Sequence, residues 1–285
     1  AAISQGCGVR TGSVKNSRAG RPGSRLTPAA ARARPVAAPH RVSASADRIM
    51  TPSLPASPSA STSIDGIAAR LAGVQAGIVA ACATAGRDPG AVTLTAVSKT
   101  QPPDAIDAIL AAGQRVFGEN RVQEAQGRWR ARRPDLPDLE LRLIGPLQTN
   151  KAAEALALFE VIETLDREKL ARALARAAET SGKTPRVLVQ VNTGAEPQKA
   201  GVPVDGVDAL IGVARDLGLI VEGLMCIPPV ADDPVPHFDR LAALARRNGL
   251  AGLSMGMSAD YEAAIARGAT HVRVGSALFG ERNAP

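Results

Sequence analysis

Lys99 closes the run Thr93-Leu94-Thr95-Ala96-Val97-Ser98-Lys99-Thr100, a short apolar segment after which a helical pattern begins within a few residues. That order places a primary amine at the carboxyl end of a first β-strand. In an α/β barrel this end is the functional face, and an amine there can bond covalently to a carbonyl. The ordinary alternative is a solvated lysine at a strand terminus. An unperturbed lysine, with a pKa near 10.4, is neutral only about one part in a thousand near pH 7.4. A Schiff-base role therefore requires surroundings that lower the pKa, and burial at a barrel mouth and a neighbouring cation both do so.

A second group of residues points to an anion. Leu253-Ser254-Met255-Gly256-Met257-Ser258 followed by 259–267 reads as strand, glycine turn and helix start, with Ser258 as the helix cap and free amides that favour negative charge. Residues 270–279 read as a strand, then Gly275-Ser276, then a short helix. Glycine lets backbone approach a ligand closely, and Ser276 adds a hydroxyl. Each turn alone is weak evidence, but loops after the seventh and eighth strands with a short helix form the usual barrel phosphate cradle. Arg273 shares a strand face with His271 and Gly275 by alternation, so it is either a salt-bridged interior arginine or a contact to a ligand's ring nitrogen or carboxylate.

Positioning these residues requires an alternating chain. Ile64, Ile67, Leu71, Val74, Ile78 and Cys82 recur at helical spacing, with Ser63 as N-cap and Gly86 near the stop. Strands are then predicted over 92–98, 115–118, 139–144, 159–165, 186–192, 219–226, 251–255 and 270–275. The helices between them fall at 104–112, 121–132, 149–158, 167–180, 204–216, 236–248 and 259–267. Eight β/α units predict a single (β/α)8 TIM-like barrel over residues 63–285, with a doubly wound open sheet as the runner-up. Ser98-Lys99, Gly118-Glu119-Asn120, Gly145-Pro146, Asn192-Thr193-Gly194 and Gly275-Ser276 then converge on one mouth.

Residues 1–62 read as a disordered tail, rich in Ala, Arg, Ser, Pro and Gly without a sustained apolar period. The tail is either an Arg- and Ser-rich organellar transit segment or sequence upstream of the mature protein, and Met50 sits where a start would fall. Residues 1–49 hold nine basic side chains against Asp47 alone, a net +8 out of the chain's +7, so the remainder stands at −1. With aromatics at 2%, this disfavours a nucleic-acid footprint on the folded part. Three cysteines without a CxxC pair and three histidines without ligand spacing imply neither a disulfide framework nor a metal site. No apolar stretch is read as approaching the length of a membrane span. The expectation is a reducing, cytoplasmic compartment, or an organelle if residues 1–49 are a transit segment.

Ala96-Val97-Ser98-Lys99-Thr100, Phe117 to Glu124, Ile144-Gly145-Pro146-Leu147-Gln148-Thr149-Asn150-Lys151 and the run Leu253 to Arg282 together resemble the pyridoxal phosphate homeostasis family, over roughly residues 63–282. The resemblance implies a barrel of the alanine racemase N-terminal domain type (fold type III) that holds pyridoxal 5′-phosphate (PLP). By position, Lys99 would form the internal aldimine and Asn120 would lie beside the ring. Arg273 would face the pyridine nitrogen, while Met257, Ser258, Gly275 and Ser276 would hold the phosphate. One departure stands out: Leu141-Arg142 replaces the family's aromatic-His pair.

Three functions follow. The first is a monomeric PLP carrier that hands its cofactor to PLP-dependent apoenzymes with little or no turnover. The second is an amino-acid racemase, which here lacks a second-domain tyrosine, since the sole tyrosine, Tyr261, falls in a predicted helix. The third is a cofactor-free Schiff-base aldolase on phosphosugars, although such enzymes usually seat the lysine on a later strand.

Overall fold

The structure, a computed structural model, describes residues 64–280. The tail expected over 1–62 and the Ser63 cap lie outside the described residues. After α1 (Ile64–Thr84) the chain alternates as the apolar pattern dictates: β1 (Thr93–Val97), α2 (Pro103–Ala111), β2 (Val116–Glu119), α3 (Val122–Trp129), β3 (Glu140–Leu143) and α4 (Ala152–Leu158). It continues with β4 (Val161–Leu165), α5 (Glu168–Ser181), β5 (Arg186–Asn192), β6 (Val202–Pro203), α6 (Val207–Asp216) and β7 (Ile220–Met225). The last elements are α7 (Val235–Arg247), β8 (Gly252–Ser254), α8 (Tyr261–Ala266), β9 (His271–Val274) and α9 (Ser276–Phe279).

Every strand pairs in parallel with its neighbours, as helical crossovers require. The order β4-β3-β2-β1-β9-β8-β7-β5 is closed by β4 against β5, so the sheet is an eight-stranded barrel rather than an open sheet. β6, too short to carry an apolar signal, pairs outside the ring with the end of β5. α3 stops at Trp129, short of the predicted 132.

Outward positions of the strands, among them Ala96, Phe117, Leu143, Val189 and Val274, are buried beneath the helices and form the main core. Inward positions are mixed. Val161, Leu188 and Met225 make a small apolar cluster inside the barrel, whereas Arg142, Glu163, Ser254 and Arg273 are polar and buried.

α1 corrects one sequence reading. Its stretch Gly66–Thr84, with mean hydropathy 1.5, is long and apolar enough to cross a membrane. Its Ile67, Leu71, Val74, Ile78 and Cys82 stripe is nevertheless buried, and the helix packs on α2, α8 and α9. Alanines and Val79 on the exposed side supply much of the hydropathy. Burying each large side chain of the stripe contributes roughly 1.5–3 kcal/mol. The helix stops where Gly86 turns to φ +63° and the Arg87 amide bonds back to the Cys82 carbonyl at 2.9 Å, a Schellman closure.

Candidate functional site

Lys99 is held from both sides. Before it, buried Ser98 donates its hydroxyl to Glu119 Oε1 at 2.7 Å, and Glu119 also accepts from Arg128 Nη1 and Trp129 Nε1, each at 2.7 Å. That carboxylate therefore ties the end of β1 to α3. After it, Thr100 takes a left-handed conformation at φ +63°, and the Gln101 amide closes the turn onto the Ser98 carbonyl at 3.2 Å. A β-branched residue in this region costs on the order of 1–3 kcal/mol, which the neighbouring contacts must offset. The half-buried Lys99 lines a cavity of about 420 Å3 at the carboxyl ends of the strands.

The two glycine turns meet on the same cavity. Gly256, at φ +90°, has no room for a side chain: a Cβ there would lie 2.6 Å from Ala264 Cβ. Its carbonyl accepts the Arg273 amide at 2.9 Å, which locks one turn to the other. Ser258 does not cap a helix as its position after the turn predicts. α8 begins only at Tyr261, and the Ser258 hydroxyl instead accepts the Gly275 amide at 3.3 Å. The opening amides of α9, at Ser276 and Ala277, have no carbonyl within the helix to bond.

Arg273 is 4% exposed yet lines the cavity. Its Nη1 donates to Ser254 Oγ at 2.7 Å and its Nη2 to the Cys226 carbonyl at 2.8 Å. Ser254 Oγ donates to Glu163 Oε2 at 2.5 Å, and Arg142 Nε donates to Glu163 Oε1 at 2.5 Å. The arginine thus belongs to an interior charge network and at the same time faces a pocket. Burial alone would raise the Glu163 carboxyl, but Arg142, then Arg273, then the Ser254 hydrogen bond hold it below the usual range. Burial pushes the Cys226 thiol up to about 12, so it is inert as a nucleophile.

Asn120 lines the cavity beside Gly145, whose Cβ, if present, would lie 2.2 Å from the Asn120 carbonyl. All seven residues singled out in the sequence, Lys99, Asn120, Met257, Ser258, Arg273, Gly275 and Ser276, line this one cavity. Val97, Ile144, Pro146 and Ile227 supply apolar walls. Tyr261 turns away from it: its hydroxyl lies 2.2 Å from where a Cβ of Gly77 on α1 would stand. Sequence reasoning missed Arg142, Glu163 and Ser254 as a connected unit. The available signal was a charged residue at inward positions of otherwise apolar strands, in β3 and β4.

Fold and site together define a (β/α)8 barrel with a strand-end lysine and two glycine turns on one cavity. Residues 75–283 match the family model described as alanine racemase, N-terminal domain. The chain is 44% identical over 223 residues to the pyridoxal phosphate homeostasis protein of Pseudomonas aeruginosa, covering 76% of this chain and 96% of that one. It is 40% identical over 227 residues to the protein of the same name from Escherichia coli K12, covering 76% and 97%. Among solved structures, PipY of Synechococcus elongatus PCC7942 with PLP bound matches at TM-score 0.65 and 39% identity, over 75% of this chain and all of PipY. Alanine racemase of Clostridium difficile shares the fold at TM-score 0.60 and 14% identity, over 77% of this chain and 58% of that one. The chain belongs to the alanine racemase N-terminal domain family and, within it, to the pyridoxal phosphate homeostasis proteins.

Proposed function

We propose that this protein binds and releases PLP as an intracellular carrier, with Lys99 as the covalent anchor and little or no catalytic turnover. One observation carries the reading: a single cavity brings together an amine, a buried guanidinium and a hydroxyl-lined glycine turn. These are the three recognitions an aromatic aldehyde phosphate requires, and the volume of about 420 Å3 lies in the range of small-ligand pockets. Apolar walls flank the space for a ring. When bound, PLP supplies an aldehyde that a neutral amine attacks and a ring that can accept electrons.

The chain's own groups then favour holding over transforming. Ser258, Gly275 and Ser276 take the phosphate, Met257 closes the outer edge of the turn, and Asn120 borders the ring. A guanidinium such as that of Arg273 beside the ring nitrogen, unlike a carboxylic acid, supplies hydrogen bonds and not a proton, so the ring remains a weak electron sink. Two-base racemisation needs a second acid or base, and Tyr261 is aimed at α1. The homeostasis proteins named above support a role in PLP homeostasis. PLP-dependent apoenzymes as acceptors, a monomer as the working form and the cytoplasm as its place are further parts of the same proposal.

The test is titration of the purified protein with PLP, followed by visible absorbance. Yellow protein with one site per chain is expected. A colourless protein that takes up no PLP would overturn the assignment and favour a cofactor-free aldolase.

A further inference from the structure

Four buried side chains form one unbroken line through the barrel interior. Arg142 on β3 is 1% exposed, Glu163 on β4 and Ser254 on β8 are 0%, and Arg273 on β9 is 4%. The directions of the hydrogen bonds are fixed by chemistry. A serine hydroxyl has a single proton; here it goes to Glu163 Oε2, so Ser254 meets Arg273 Nη1 through a lone pair. Glu163 uses its other oxygen on Arg142 Nε, and Arg142 Nη1 reaches Glu140 Oε1 at 2.5 Å. Arg142 Nη2 is buried without a hydrogen-bond partner.

Such a line is not what stability alone selects. Taking paired charges out of water costs several kcal/mol per ion, and well-packed apolar residues are often as stable. The same barrel shows that its interior accepts them, in the cluster Val161, Leu188 and Met225. The charged line, by contrast, ends on the one arginine among the described residues that lines the cavity. Arg273 has five N–H donors in a rigid fork, and Ser254 and Cys226 each take one, on different terminal nitrogens. Two anchors on two nitrogens fix the plane of the guanidinium, and with it the direction of the remaining donors.

We propose that Glu163, acting through Ser254, is a positioning residue for Arg273, and that Arg142 holds Glu163 in place. The arginine's presentation to the cofactor ring is then set by residues that never touch the cofactor. This inference rests on PLP being the ligand of the cavity.

The experiment compares PLP affinity, the position of the visible band and the melting temperature of the PLP-free form for the unsubstituted protein and its variants. Ser254→Ala is expected to weaken PLP binding about tenfold, the loss of one charge-assisted hydrogen bond, and to shift the band. Ser254→Thr, which keeps the hydroxyl, is expected to restore both. Glu163→Gln is expected to reproduce the Ser254→Ala shift, and the double variant to add nothing further. In an Arg273→Met background neither substitution is expected to change affinity beyond about twofold, because the residue being positioned is gone. Should Glu163→Gln fail to fold, the Ser254 pair with and without Arg273 decides alone. Equal losses with and without Arg273, or lower melting temperature with unchanged affinity and band, would overturn the proposal and leave the line a structural one. A colourless unsubstituted protein would overturn the PLP reading itself, and this inference with it.

Discussion

At the residue scale, the proposed function rests on two kinds of hold on a ligand: a covalent one at Lys99 and a hydrogen-bonded one at the turn of Ser258, Gly275 and Ser276. The backbone on either side of Lys99 is held by neighbours with no part in the bond, Ser98 through Glu119 and Thr100 through its strained backbone. On that proposal the anion side draws its strength from backbone and hydroxyl donors, whose effect reverses if a carboxylate joins them. Ser276→Glu is therefore expected to weaken PLP binding more than a hundredfold, since like charges in a partly dry site cost several kcal/mol. Lys99→Ala is expected to lose the covalent link but retain measurable PLP binding. Cofactor titration of both variants is the check. If Lys99→Ala abolishes binding while Ser276→Glu still binds well, the anion site lies at another turn.

At the element scale, strand ends aim the site only where they approach one another, and glycine permits that approach. Gly145 after β3 lies against the backbone of Asn120 after β2, where a Cβ would sit 2.2 Å from a carbonyl that cannot swing aside. Gly145→Ala is expected to cost about 1–3 kcal/mol, to lower the melting temperature by several degrees and to weaken PLP binding by displacing Asn120. Gly73→Ala on the exposed side of α1, with open space around it, is expected to stabilise by up to about 1 kcal/mol. Thermal melts of both, with a PLP titration of the first, would show whether Gly145 or glycine substitution in general matters. The alternation of β and α was legible because each strand is an apolar run bounded by polar or glycine turns, and its eight units closed into the expected barrel. Six of the residues that line the cavity, Lys99, Asn120, Met257, Ser258, Gly275 and Ser276, stand at or just beyond those boundaries, and Arg273 stood out as a charge inside an apolar strand. The two-residue β6 carries no periodic signal, and Ser258 looked like a helix cap because Asp260, where α8 is entered, was indistinguishable in sequence from a residue within the helix. The interior line of Arg142, Glu163 and Ser254 stayed hidden because its members lie far apart in the chain and meet only once the ring closes.

At the scale of the whole molecule, the barrel's interior charge makes stability depend on pH. His271 on β9 is pushed down to about 4, by burial first and then by the Arg142 charge. Unfolded, it takes up a proton near 6.5; folded, only near 4. Between those values the unfolded chain binds more protons, so stability falls as pH drops from about 6.5 to 4, by up to about 3 kcal/mol. Glu163, whose carboxyl is lowered, adds its own loss only below its ordinary value of 4.5. Urea midpoints at pH 7, 5.5 and 4.5 are expected to decline for the unsubstituted protein and to decline less for His271→Gln; an identical slope in both would assign the effect elsewhere. The central claim, that this barrel holds PLP on one particular amine, is met most directly by loading the whole protein with PLP, reducing it with borohydride and mapping its peptides by mass. The account requires the pyridoxyl-phosphate increment on the peptide containing Lys99; an increment on another lysine such as Lys199, or none at all, would contradict it.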